Sequence, residues 1–122
     1  MDGPRSIQNE KIEYLAILLH GYGADGNDLF SLVPYLENKI KNCLFVAPNA
    51  PFKCDLSPAG RQWFGINDID FSYNFKKDSD SYIELKKSSK KLIEFIEKEK
   101  KKYLIKNSKV ILIGFSQGTM MA

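Results

Sequence analysis

Val110-Ile111-Leu112-Ile113-Gly114-Phe115-Ser116-Gln117-Gly118 decides how this chain is read. Four apolar residues, three of them β-branched, predict a strand that runs straight into G-x-S-x-G. A strand entering this pattern and leaving as a helix is the sequence form of a nucleophile elbow, whose serine sits on a strained turn at the top of a sheet. The turn is so tight that the residues two before and two after the serine must be small. Gly114 and Gly118 meet that demand, which makes Ser116 the candidate nucleophile.

Upstream, Tyr14-Leu15-Ala16-Ile17-Leu18-Leu19 is a short continuous apolar run ending in the glycine-rich stretch from His20 to Asn27. Such a run predicts a strand buried on both faces, at the centre of a parallel sheet. A helical pattern follows through Leu29, Leu32, Val33 and Leu36, with Asn27 or Asp28 expected at its N-cap and Pro34 expected to kink or break it. Leu44 to Ala47 predicts a second buried strand, stopped by Pro48 and Pro51. Phe52 to Asp80 is irregular, rich in Pro, Gly, Asn, Asp and aromatics, and too long for an idle connection. A helix is expected from about Ser81 to Leu104, capped by Ser79, Asp80 or Ser81, with Tyr82, Leu85, Leu92, Ile96 and Tyr103 on one stripe. The alternation of strand and helix predicts an α/β fold, a parallel sheet flanked by helices and joined by right-handed crossovers.

Composition narrows the function classes. The 122 residues are 43% hydrophobic, which bounds the chain at one domain and is enough to form a core. The net charge of +3 comes mainly from lysines between Lys76 and Lys109. They alternate with apolar residues at helical spacing, and Glu94 and Glu97 precede Lys98 and Lys101 by four residues. That arrangement predicts a solvated helix face rather than a nucleic-acid footprint. Cys43 and Cys54 belong to no CxxC or Cys/His cluster, so no disulfide and no metal site are expected. The polar N-terminus lacks a signal-peptide core and the longest apolar run is too short to cross a bilayer. A cytoplasmic protein without stable membrane insertion is expected.

Gly21-Tyr22-Gly23-Ala24-Asp25-Gly26 also satisfies G-x-G-x-x-G, between a strand and a helix, where a dinucleotide-binding fingerprint would stand. Against that remote alternative, the next strand ends Ala47-Pro48-Asn49 with no acid to hold a ribose, and Asp25 and Asp28 would crowd a pyrophosphate. Read with His20, the segment is instead an H-G-x-G loop that can present a backbone N–H beside a nucleophile on the neighbouring strand. That is half of an oxyanion hole.

Four segments in order carry a family resemblance: Leu18 to Leu29 with its His20-Gly21-Tyr22-Gly23 core, Ala47-Pro48-Asn49-Ala50-Pro51, Gly60-Arg61-Gln62-Trp63-Phe64, and Gly114 to Gly118. Together they resemble the bacterial phospholipase/carboxylesterase family, which includes acyl-protein thioesterases. The resemblance runs from Tyr14 to Ala122 and covers about the first half of a complete member. It implies a truncated α/β-hydrolase fold, with residues 1–122 a partial domain. It implies a serine hydrolase, a carboxylesterase or acyl thioesterase, needing no cofactor or metal and acting through an acyl-serine intermediate on small esters, thioesters or lysophospholipid-like substrates.

Position by position, the resemblance makes Ser116 the nucleophile and the backbone N–H groups of Tyr22 and Gln117 the oxyanion donors. Gly21 and Gly23 allow the loop its close approach, and Trp63 and Phe64 match an aromatic pair near the acyl-binding cleft, with core packing the competing reading. His20, the sole histidine, is expected to support the loop rather than act as base, because the base of such hydrolases follows the nucleophile in the chain. Every aspartate here precedes Ser116, and the family's triad acid and histidine come later. The chain alone is therefore expected to be inactive. The alternatives are a non-catalytic remnant of an interrupted gene, or one chain of a two-chain enzyme completed by a C-terminal chain across an exposed strand edge.

Overall fold

The computed structural model describes residues 1–7, 11–69 and 75–122. Its elements in chain order are β1 (Tyr14–Leu19), α1 (Gly26–Phe30), α2 (Val33–Glu37), β2 (Cys43–Val46), β3 (Phe52–Lys53), β4 (Arg61–Gln62), α3 (Asp80–Tyr103), β5 (Val110–Gly114) and α4 (Gln117–Met121). The main sheet has the order β2-β1-β5 and is parallel throughout, with Leu15 beside Leu44 and Val110, and Leu19 beside Gly114. The fold is α/β, with the first apolar run at the centre of the three strands.

Burial on both faces explains why β1 and β2 are continuous apolar runs rather than alternating ones. Leu15, Ile17, Leu19, Leu44 and Val46 pack with Trp63, Phe64, Leu92 and Phe95 on the α3 side. Ala16, Leu18, Cys43 and Phe45 pack with Leu29 and Val33 of α1 and α2 on the other. Cys43 and Cys54 are buried and form no disulfide, and burial pushes the Cys43 thiol up to about 11.

The helical segment after β1 breaks into two, as Pro34 leads one to expect: α1 ends at Phe30 and Pro34 stands in the first turn of α2, where its missing N–H leaves no bond unmade. The N-cap of α1 is Asp25, not Asn27 or Asp28. Asp25 and Asp28 form a capping box, each carboxylate accepting from the other residue's N–H. The long helix is capped by Ser79, whose hydroxyl accepts from the Tyr82 N–H, and closes through Leu104 in the left-handed region.

The buried face of α3 differs from the apolar stripe expected of it. Leu92 is buried, but its companions are Ser81, Ser88, Phe95 and Glu99, while Tyr82, Leu85, Ile96 and Tyr103 are half-buried. Ser88 and Glu99 reach the core because each finds a partner. The Ser88 hydroxyl donates to the Trp63 carbonyl. Glu99 takes a two-pronged ion pair from Arg5, at 3.0 and 3.2 Å. That pair anchors the N-terminal segment, which runs antiparallel along β2: Ser6 N–H donates to Phe45, Ala47 N–H to Pro4 and Asn49 N–H to Asp2.

The outer edge of β2 is thereby covered. On the opposite side β5 has β1 as its single strand neighbour among the described residues, and Leu112 is 38% exposed. The segment after β2 also carries the short antiparallel pair β3–β4, within what the sequence suggests is an irregular loop. Phe71 and Tyr73 of that loop lie outside the described residues.

An open apolar edge is a template for pairing with another chain. Leu112→Lys should weaken self-association about tenfold or more in sedimentation velocity while leaving the far-UV circular dichroism unchanged; unchanged association would show that the edge is not the contact.

Candidate active site

Ser116 stands between the end of β5 and the start of α4, at φ 51° and ψ −120°. This is a strained conformation for a residue with a side chain, and the surrounding contacts hold it. The Phe115 N–H donates to the Leu19 carbonyl at 3.0 Å, and Gly118 and Thr119 N–H groups turn back to Phe115 and Ser116 carbonyls, each at 2.9 Å. A Cβ on Gly118 would stand 1.9 Å from the Leu19 carbonyl oxygen, and one on Gly114 would stand 2.5 Å from the Thr119 Cα. Both glycines of G-x-S-x-G are thus required by backbone contact. The result is an exposed Ser116 at the C-terminal end of the sheet.

The loop after β1 reaches the same place. A Cβ on Gly21 would lie 3.3 Å from the Ser116 Cβ and 3.2 Å from the Phe115 ring. Gly23 has φ 77°, and its N–H donates to the Arg61 carbonyl, while Arg61 N–H donates to Ala24. These bonds tie the loop to β4. As the first residue of α4, Gln117 has an N–H with no acceptor inside the helix.

His20 is 1% exposed. The Ala50 N–H donates to its Nε2 at 2.9 Å, so Nε2 is unprotonated; Nδ1 carries the proton and donates to the Gly21 carbonyl at 2.8 Å. Burial holds the imidazole below its ordinary pKa, with Arg61 adding to the effect and the Gly21 bond, Asp25 and Asp28 opposing it. Both ring nitrogens are engaged with main chain, so His20 has none left to take a proton from Ser116.

The remaining motif residues form a frame around this histidine. Trp63 Nε1 donates to the His20 carbonyl at 2.9 Å, and the two rings lie 5.5 Å apart. Arg61 donates to the Ala50 and Pro51 carbonyls. Gln62 and Asp55 bond to each other twice. Gly60 packs so closely on Gly23 that a Cβ would stand 2.1 Å from its oxygen. The Asn49 side chain accepts from the Gly26 N–H at the start of α1. With the capping box, this occupies the Asp25, Gly26 and Asp28 N–H groups at the start of α1, where a pyrophosphate would sit.

The buried Gln117 side chain closes the frame. Its Oε1 accepts from the Trp63 N–H at 2.8 Å and its Nε2 donates to the Phe64 carbonyl at 2.7 Å. Sequence reasoning assigns Gln117 only a main-chain role. The clamp was hidden because its partners are main-chain groups more than fifty positions away, and the one available signal was that the Trp63-Phe64 and Ser116-Gln117 motifs occur together.

Ser116, Gly21, Tyr22, Gly23, His20 and Gln117 therefore meet at one end of the sheet. Trp63 and Phe64 lie directly beneath them, at 0% and 1% exposure, with no surface for a substrate to touch. The Tyr22 phenol points to Cys54, and burial first, then the thiol, pushes it up to about 12. It stays protonated near neutral pH and is no base. An open apolar hollow of about 270 Å³, lined in part by Gly21, Ala24, Leu29, Leu32 and Phe115, lies beside the elbow. Among the described residues, no group of three or more His, Cys, Asp and Glu could hold a metal ion, and no helix is long and apolar enough to cross a membrane.

Comparison with known proteins agrees with this geometry. Residues 6–122 match the family model described as Phospholipase/Carboxylesterase. Among solved structures, the chain is similar to esterase PE8, with a TM-score of 0.76 and 32% sequence identity over 98% of this chain. The match covers 54% of that esterase, so the chain spans about half its length.

Two outcomes test the frame. Gln117→Ala leaves a buried N–H and a buried C=O unpaired and should cost about 2–4 kcal/mol in urea unfolding; a loss under about 0.5 kcal/mol would mean that the clamp contributes little. His20, neutral in the fold with a lowered pKa, lends its full stability above the unfolded pKa of about 6.5, and stability falls as pH drops because the unfolded chain takes the proton first. Between pH 7.5 and 5.5 the midpoint of urea unfolding should fall as the pH is lowered, and His20→Asn should remove that slope.

Proposed function

The chain belongs to the phospholipase/carboxylesterase family, and from that premise we propose that it forms the nucleophile half of a serine esterase or thioesterase. The observation that carries this reading is the strained, exposed Ser116 seated against the His20-Gly21 loop. The Ser116 Oγ attacks the carbonyl of a small ester, a thioester or a lysophospholipid-like substrate. The tetrahedral oxyanion accepts hydrogen bonds from the Tyr22 and Gln117 N–H groups, and collapse expels the alcohol or thiol to leave an acyl-serine that water hydrolyses. Each such donor is worth about 10²–10³ in rate.

The attack needs a base, and His20 does not serve, since its Nε2 accepts from Ala50 and its Nδ1 proton is committed to Gly21. The base and the acid that orients it come from polypeptide beyond the 122 residues, joined to this chain or separate, and the free edge of β5 is the place where it adds. Residues 1–122 are thus a partial hydrolase domain, inactive by themselves. Because Trp63 and Phe64 have no exposed surface, their part is to support the His20 loop from below, and contact with the acyl group falls to Phe115, Leu29 and Leu32 around the adjoining hollow. No cofactor takes part.

A fluorophosphonate probe tests the reading. Ser116 should be labelled in an extract of the source cells, where whatever completes the site is present, and the purified 122-residue chain should label no faster than its Ser116→Ala variant. Labelling and ester turnover by the purified chain alone would overturn the absence of a base. Failure to label in the extract would favour the non-catalytic remnant.

A further inference from the structure

The outer face of α3 takes no part in the site, and its charge is segregated. Seven exposed lysines between Lys86 and Lys102 face solvent there, against two exposed acids, Glu94 and Glu97. The whole chain carries only +3, so this one face exceeds the net charge of the protein. None of the seven lysines is held in an ion pair among the described residues; the pair within the helix, Glu97 with Lys100, uses a lysine outside the set. The same surface also exposes large aliphatic side chains: Ile93 is 61% and Leu104 89% exposed, with Ile83 at 40%. Leu104 is the C-cap residue just past the last turn of the helix.

Lysines alone would mark a solvated face. Lysines flanking exposed Ile and Leu along a helix of 24 residues match what an interfacial helix presents, with apolar side chains entering the headgroup boundary and cations meeting anionic lipid. A nucleic acid fits less well. Both arginines of the chain are engaged elsewhere, Arg5 with Glu99 and Arg61 with main-chain carbonyls. The two tyrosines of the helix are half-buried, so no ring stands clear for bases to stack on.

We propose that the outer face of α3 is a docking surface for anionic lipid bilayers, holding the protein peripherally without insertion. The inference is independent of the esterase reading, and its test uses no activity.

Vesicles of phosphatidylcholine alone, and with about 30% phosphatidylglycerol, are sedimented with the purified protein at low and high salt. Binding should be at least about tenfold tighter to the anionic vesicles and fall about tenfold in 0.5 M salt. Lys87→Glu/Lys91→Glu/Lys98→Glu should abolish it, and Ile93→Ser/Leu104→Ser should weaken it severalfold at unchanged charge. These substitutions lie on the solvent face, and circular dichroism checks that the fold survives them. Equal binding to both vesicles, binding that the lysine variant retains, or tighter binding to a DNA duplex than to anionic vesicles would each overturn the proposal.

Discussion

The buried ring of His20 is the interaction on which the rest of the site depends. Its Nδ1–H meets the carbonyl of Gly21 and its Nε2 meets the N–H of Ala50, so one imidazole joins the loop after β1 to the loop after β2. The His20 carbonyl then receives the Trp63 indole, and Trp63 with Phe64 receives the Gln117 amide. Four segments distant in sequence are held in one arrangement because each buried polar group finds its partner in another segment. The same bonds engage both ring nitrogens with main chain, so neither is left for the Ser116 hydroxyl.

The second constraint is steric. The strain at Ser116 persists because the backbone around it cannot relax: Gly118 rests on the Leu19 carbonyl, Gly114 on α4, and Gly21 on the elbow itself. The loop therefore lies close enough to Ser116 to offer a main-chain donor. That compactness is expensive in sequence, since a methyl group at Gly118 or Gly114 would collide with main chain that has no room to move.

Much of this was legible in advance. β1 and β2 were readable because residues buried on both faces form unbroken apolar runs, and β1 was found where the sequence places it. The helix break at Pro34 follows from proline's missing N–H. The burial of Ser88 and Glu99 was not legible, because a polar residue enters a core only when a partner waits there, and Arg5 is 94 positions from Glu99. The N-cap of α1 was misplaced by two or three residues for a related reason. Asp25, Asn27 and Asp28 are all competent caps, and the choice among them depends on how Asp25 and Asp28 face each other and on Asn49 reaching Gly26.

By itself the sequence determined the α/β order, the elbow at Ser116 and the identity of the residues gathered around it, because hydrophobic period and glycine placement are local properties of the chain. Tertiary structure alone decided the contacts: both ring nitrogens of His20 on main chain, Trp63 and Phe64 buried beneath the elbow, the Gln117 side chain on Trp63 and Phe64, and the lysines of α3 collected on one outward face. A side chain's role depends on which buried donors and acceptors come within about 3 Å of it, and that is set by where distant segments of the chain cross.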